Sequence, residues 1–191
     1  MVIKACSLDK NYTSYMEVKK RGVVAQGWRH SGDLSFFREE KDINKFLNLV
    51  KTPEKEDNKK KNAFNELFNL KEGDIILAWE GKKIKGICEI PKEFEYVYQP
   101  DYEYANAIFP VKWVDWENIA EEDPPHGYRP RNPIFIVDRS DIHDFVEKYW
   151  ERYKQQNNLQ IQPDEYNEQL KQIKEQLPEK IKQSKEKYYK L

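Results

Sequence analysis

The sequence predicts an α+β domain built around a curled sheet, with flanking helices and a helical tail. Three observations lead there. Five or six short strand patterns fall within roughly the first 140 residues, with helical patterns between and after them. Aromatic residues make up 14% of a chain whose hydrophobic content is only 38%, so a few large side chains must carry the core. Beyond Asn157-Asn158 the composition turns to Gln, Lys and Glu with a narrow apolar stripe.

The elements follow in order. Residues 2–8 (VIKACSL) read as a strand, residues 12–21 as a short helix ended by Gly22, and residues 23–27 as a second strand. Asp42 heads a helical pattern with Ile43, Phe46, Leu47 and Val50 on one face. The charged stretch 52–61 has no apolar residue and reads as a loop. Asn62 caps a helix carrying Phe64, Leu67 and Phe68, closed at its C-terminal side by Gly73. From there the expected period is two. Strands at 74–79 and 84–90 are joined by Glu80-Gly81-Lys82-Lys83, with Gly81 supplying a positive φ. In the second strand Ile84, Gly86, Cys88 and Ile90 share a face, and Gly86 marks a bend or a close approach of another group.

Residues 94–98 place Phe94, Tyr96 and Tyr98 on one face, and residues 107–114 do the same for Phe109, Val111 and Trp113, with Pro110 at an edge or bulge. A proline-rich loop covers 121–133, and 134–137 is the last strand. Ser140 caps a helix with Ile142, Phe145, Val146, Tyr149, Trp150 and Tyr153 in helical spacing. In the tail, Tyr166, Leu170, Ile173 and Leu177 form a stripe suited to a docked helix, a coiled-coil arm or a linker. The expected division is a domain over 1–155 and a tail over 156–191.

Net charge is −1, unevenly spread. Residues 1–72 hold 15 basic and 11 acidic groups, residues 73–150 hold 9 and 16, and residues 151–191 hold 9 and 7. A non-specific nucleic-acid binder is usually more basic overall, so the charge balance by itself disfavours nucleic acid, though one face could still meet phosphates. No apolar run approaches a membrane span, and the first ten residues lack a signal-peptide core. Cys6 and Cys88 lie in strand patterns, which fits buried free thiols in a reducing cytoplasm. The three histidines are scattered. No CxxC or HxxxH spacing supplies metal ligands, no GxSxG elbow is present, and no phosphate-binding GxxxxGK[ST] loop appears. The expectation is a protein without catalysis, metal or cofactor.

The order of VVAQGWRHSGDLSF at 23–36, GDIILAWEGKKIKGICEI at 73–90 and FPVKWVDW at 109–116 resembles the EVE and YTH branch of the PUA-like superfamily. Its nearest flavour is the N-terminal specificity domain of McrB-type restriction enzymes, and the likeness covers roughly residues 1–150. The resemblance implies a PUA-like curled sheet or pseudo-barrel. It also implies an aromatic cage for a modified, flipped-out base, and in this setting a downstream GTPase motor domain or partner subunit. By that order Trp28 is one cage wall and Tyr98 or Tyr104, from the tyrosine-rich stretch 94–104, the second. The plainer alternatives are a rim-of-core Trp28 and solvent-exposed tyrosines. Trp79 is either core or pocket floor.

Polar groups that could read the base edge are Ser7, Asp9 and Asn11 after the first strand, and Ser31 and Asp33 in the turn after Trp28. A turn or cap role is the plainer one for Asp33. Lys19, Lys20, Arg21 and Arg29, with Lys82 and Lys83 at the hairpin tip, are candidates for phosphates, against simple solvation. Two aromatic faces around one base contribute roughly 1–3 kcal/mol per stacked base, and a buried methyl group adds about 0.8 kcal/mol. The implied function is a reader of a methylated or otherwise modified base in DNA. An RNA-binding module, or an interaction domain with no nucleic-acid ligand, are the alternatives.

Overall fold

Five consecutive apolar residues, Ile75 to Trp79, run through the middle of the larger sheet, and every one is buried to 1% exposure or less. A run of this kind belongs to a strand covered on both faces, not to the period-two pattern expected here. The computed structural model describes residues 2–8, 14–26, 33, 63–99, 106–122, 124–125 and 134–157. The predicted helix after Asp42, the charged loop 52–61, most of the proline-rich loop and the stripe of the tail lie outside them.

The strand holding this run is β3 (Ile75–Glu80). Beside it lies β1 (Ile3–Leu8), paired in parallel from Ile3↔Ile75 to Leu8↔Glu80. On its other side β4 (Lys83–Glu89) folds back antiparallel. The turn between them has Gly81 at φ 61°, as its position in the hairpin predicts. β7 (Val114–Asp115) and β8 (Ile134–Ile136) complete the sheet, whose order is β7-β4-β3-β1-β8. A second, antiparallel sheet has the order β2-β6-β5, from β2 (Val24–Gln26), β6 (Asn106–Phe109) and β5 (Glu95–Tyr98). The architecture is mixed α+β with two sheets. Among the described residues these do not join into a closed barrel.

Helix α1 (Tyr15–Arg21) is set by its ends. Ser14 is the N-cap, its Oγ accepting the Glu17 N–H at 3.4 Å, and Gly22 closes the helix in the left-handed region at φ 63°. The cap explains why the helix starts at 15 and not at 12. The described part of α2 (63–68) buries Phe64 and Leu67 completely. Gly73, expected to close this helix, instead sits at φ 80° in a turn in which Asp74 N–H bonds the Lys71 carbonyl at 3.0 Å. Helix α3 (Ser140–Gln156) buries Ile142 and Val146, and sets Phe145 against Trp116, ring centroids 5.9 Å apart. Ser140 lies inside its first turn, since Ile142 and His143 both donate to the Arg139 carbonyl.

The predicted strand 107–114 is two strands in two sheets. β6 ends at Phe109, the Phe109-Pro110 bond is cis, and β7 begins at Val114 in the other sheet. Pro110 has no N–H to continue a ladder, so the pattern breaks there. Val111 and Trp113 are still core residues, 4% and 6% exposed. They stitch the connection down, because Val111 N–H bonds the Gly22 carbonyl at 2.8 Å and Trp113 Nε1–H bonds the Val23 carbonyl at 2.9 Å. Cys6 Sγ lies 3.6 Å from the Ala25 carbonyl and joins the two sheets.

The chain divides into two compact units, Met1–Tyr149 and Trp150–Leu191. Within the second, Trp150 stacks on Tyr153 at 5.7 Å and Lys154 pairs with Glu151 at 2.7 Å. No helix among the described residues is long and apolar enough to cross a membrane.

Candidate functional site

One row of paired residues frames the site. Gln26 at the end of β2 pairs with Asn106 at the start of β6, and Asn106 pairs with Tyr98 at the end of β5. The chain therefore leaves the small sheet after Gln26, toward Gly27-Trp28, at the same end at which it leaves after Tyr98 and returns before Asn106. Cys6 of β1 touches Ala25, one residue before that row. Register thus brings together the departure points of the two segments that the resemblance names for cage walls.

Row and surroundings are polar where they need to be. Asn106 is fully buried, and its Oδ1 accepts the Tyr96 hydroxyl at 2.6 Å. Tyr96 meets Phe68 of α2 edge-on at 5.2 Å. Beyond Tyr98, the Gln99 Oε1 accepts from Arg21 at 2.8 Å, and Arg21 also pairs with Glu17 at 2.6 Å. Arg21 is therefore tied to the strand end. Tyr98 is half-buried in β5, as are Tyr96 and the preceding Phe94, whereas Val97 is buried at 6% and Glu95 is exposed.

Trp28, Tyr104, Asp9, Asn11, Ser31 and Arg29 lie outside the described residues, and of Ser7 only the backbone, in β1, is described. Asp33 is exposed. Trp79, named for a cage or for the core, is 1% exposed and belongs to the core of β3. A wall of a base cage must offer a face to the ligand, and a ring this covered offers none. Lys19, named for phosphates, forms an ion pair with Asp115 at 2.6 Å, and Arg21 is engaged as just described. Lys20, Lys82 and Lys83 are exposed.

The structure adds a cluster the sequence reading missed. The Tyr15 ring lies on Gly86, its hydroxyl donates to Asp115 at 2.7 Å, its backbone N–H donates to Glu80, and it meets Trp113 edge-on at 5.8 Å. The hydrogen bond from Lys19 holds the Asp115 carboxyl below its usual range, against its partial burial and with help from Tyr15. Burial, with Asp115 next to it, pushes the Tyr15 phenol well above its ordinary value. Gly86 was the legible half of this pair, and nothing in residues 12–21 marked Tyr15 as its partner.

A second missed group is Lys4, 3% exposed, whose Nζ pairs with Glu66 Oε2 at 3.0 Å and bonds the Glu66 carbonyl at 3.1 Å. Its alternation with Cys6 and Leu8 in β1 was the available signal. Both cysteines are buried free thiols, as expected, with Cys6 pushed up to about 12 and Cys88 also well up, by burial in each case. Among the described residues no group of three or more His, Cys, Asp or Glu side chains could hold a metal ion.

These features belong to a two-sheet α+β domain in which the buried Asn106 and the Arg21–Gln99 hydrogen bond mark one end of the smaller sheet. The chain belongs to the family described as Domain of unknown function (DUF8426), which matches residues 5–124. That span runs from β1 past β7 and stops before β8 and α3. No curated protein matches the chain.

Proposed function

We propose that this protein is a non-catalytic reader of a PUA-like, EVE/YTH-related type. It holds a flipped-out, methylated or otherwise modified base of DNA between Trp28 and a tyrosine of the 98–104 segment. The observation that carries the reading is the row Gln26–Asn106–Tyr98, because it starts both cage-wall segments from one end of one sheet. The Tyr96–Asn106 hydrogen bond and the Arg21–Gln99 bond brace that end. A cage needs this, since stacking on a base is effective only if the rings are held apart at a fixed gap before the base arrives. The reader would serve as the specificity module of a modification-dependent restriction system, with a motor domain or subunit supplying the energy for cutting.

Fluorescence anisotropy with matched duplexes tests this, one set carrying 5-methylcytosine or N6-methyladenine and one unmodified, beside N6-methyladenosine RNA. The reading expects one modified DNA to bind at least tenfold tighter than its unmodified twin. Trp28→Ala and Tyr98→Ala/Tyr104→Ala should each weaken binding to that modified duplex by one to two orders of magnitude, from the roughly 1–3 kcal/mol of a stacked base. Trp113→Ala is the folding control. Its ring is 6% exposed and bonded to Val23, so its loss should cost stability, about 3–5 kcal/mol. Tighter binding to the methylated RNA would make it an RNA reader. Equal binding to every modified and unmodified probe would refute the cage.

A further inference from the structure

We infer that the β3–β4 hairpin and the outer stripe of α1 form the surface that grips the duplex backbone, through Lys82, Lys83, Lys85 and Lys20; the inference rests on the reader just proposed.

The first ground is how the cations are used. Lys4 is paired with Glu66, Lys19 with Asp115, and Arg21 with Glu17 and Gln99. Lys20, Lys82, Lys83 and Lys85 make no ion pair among the described residues. Glu80, the carboxylate of the same turn, is occupied by the Tyr15 N–H. The three hairpin lysines fall within residues 73–150, where acidic groups outnumber basic ones 16 to 9, so their clustering runs against the local composition.

The second ground is the register. Glu80 pairs with Lys83 and Trp79 with Ile84, but Ala78 pairs with Gly86, so Lys85 is an extra residue at a bulge. Gly86 lies on the side of the sheet that carries α1, because the Tyr15 ring seats on it. Ala78 and Glu80 share a face of β3, so Lys83, the partner of Glu80, lies on that same side, where the Tyr15–Glu80 bond fastens the start of α1 to the hairpin, and Lys85 follows at the bulge. Lys20 stands on α1 itself, exposed, while Tyr15 and Val18 face inward. Three cations thus cluster on one hairpin, Lys82 in its turn, Lys83 on the side of α1 and Lys85 at the bulge, and a fourth stands on the helix fastened to it. Lysine suits sequence-independent contact with phosphates, as a flexible point charge without the fixed fork of arginine. Such contacts position a duplex, and the base pocket is left to discriminate.

The test uses the full chain and a fluorescent unmodified duplex, with affinity measured from about 50 to 300 mM salt. The hairpin variant is Lys82→Gln/Lys83→Gln/Lys85→Gln. Its log–log salt slope should be shallower than the parent's by about 2.7, at roughly 0.9 per lost phosphate contact, and adding Lys20→Gln should remove about 0.9 more. The charge-matched control, Lys71→Gln/Lys92→Gln/Lys112→Gln, removes three exposed lysines from elsewhere and should leave the slope in place. An equal slope change in both triple variants overturns the assignment, as does an unchanged slope in the hairpin variant or no duplex binding at 50 mM salt. Polyglutamate or anionic vesicles competing as well as duplex also overturns it, by reducing the surface to a general polyanion site. The preference for the modified twin separates the two proposals. A lost slope without any preference removes the reader and keeps the grip, and a preference with an unaltered slope does the reverse.

Discussion

Replacing Gly86 by alanine would drive a methyl group into the ring of Tyr15. A Cβ at position 86 would lie 2.3 Å from Cε2 and Oη and 2.4 Å from Cζ of that ring. Carbon contacts settle near 3.5–4.0 Å, so the ring must retreat by more than about an ångström. It is the far end of a side chain, but it has nowhere easy to go. Tyr15 is 5% exposed, meets Trp113 edge-on, and donates its hydroxyl to Asp115. Retreat forfeits that bond to a charged acceptor, roughly 1.5–3 kcal/mol, and adds overpacking strain of about 1–3 kcal/mol. The reduced freedom of the unfolded chain returns only about 0.5–1 kcal/mol. A net loss of about 1.5–5.5 kcal/mol is expected, read as a lower urea midpoint at unchanged m.

A double-mutant cycle then isolates the cause. Tyr15→Ala should be destabilising by itself, on the order of the ~3–5 kcal/mol seen for other large aromatics. In that background Gly86→Ala should cost nothing, a coupling of about 1.5 kcal/mol or more. If the two losses simply add within about 0.5 kcal/mol, the ring is not what position 86 accommodates, and the account of Gly86 is wrong.

The protonated thiols and phenol make a prediction about alkali. In the unfolded chain the thiols ionise near 9.0 and the phenol near 10.0, whereas burial holds Cys6 protonated to about 12 and raises Cys88 and Tyr15. Their contribution is complete below pH 9.0 and is lost upward from there, for Cys6 until about 12. The decline should reach about 1.4 kcal/mol per pH unit for each group. Urea midpoints at pH 8 and pH 11 that coincide would contradict it, and Cys6→Ala should flatten the curve by one group's share. At the acid end the sign reverses. Asp115 is held below its ordinary 3.8, so its contribution is present above that value and disappears as pH falls through the lowered one. Lys19→Gln should move the Asp115 carboxyl back up in a carbon-detected NMR titration, and an unmoved titration would show that Lys19 is not its main partner. The Lys4–Glu66 pair should be asymmetric, because Lys4 is 4% exposed at its side chain and Glu66 24%. Glu66→Ala strands a buried cation and should cost about 3 kcal/mol, whereas Lys4→Met leaves a carboxylate that water can reach and should cost about 1 kcal/mol or less. Equal unfolding losses in the two variants would contradict the burial argument.

Local chemistry was legible in the sequence where one residue decides one turn. Gly22 and Gly81 both stand at positive φ where the pattern put them, and Gly86 announced a close neighbour without naming it. The buried stripe of α3 was legible too, because Ile142 and Val146 follow the helical period. What depends on long-range pairing was not. IILAW reads as an ordinary strand until β1 arrives from the other end of the chain to pair with it. The 107–114 run has unbroken strand character, and only the missing N–H of Pro110 hints that its halves serve different sheets. Among site residues, exposure decided what residue type could not. Trp79 and Trp28 are chemically the same candidate, and burial removes the first from a cage. Lys19 and Lys20 are neighbours of one type, and only the fold shows that Asp115 neutralises the first.

The place of β1 in the larger sheet bears on where the protein can be cut. Ile3 pairs with Ile75 on one side, and Lys4 with Ile136 on the other. β1 therefore waits for two partners made after it, first β3 and later β8. Until β8 is made, β1 presents an open row of backbone donors and acceptors, the kind of edge that invites pairing between molecules. The family match stops at residue 124, before that strand. A fragment trimmed to those limits would carry the open edge permanently and should self-associate, whereas one extended past Ile136 and through α3 closes it.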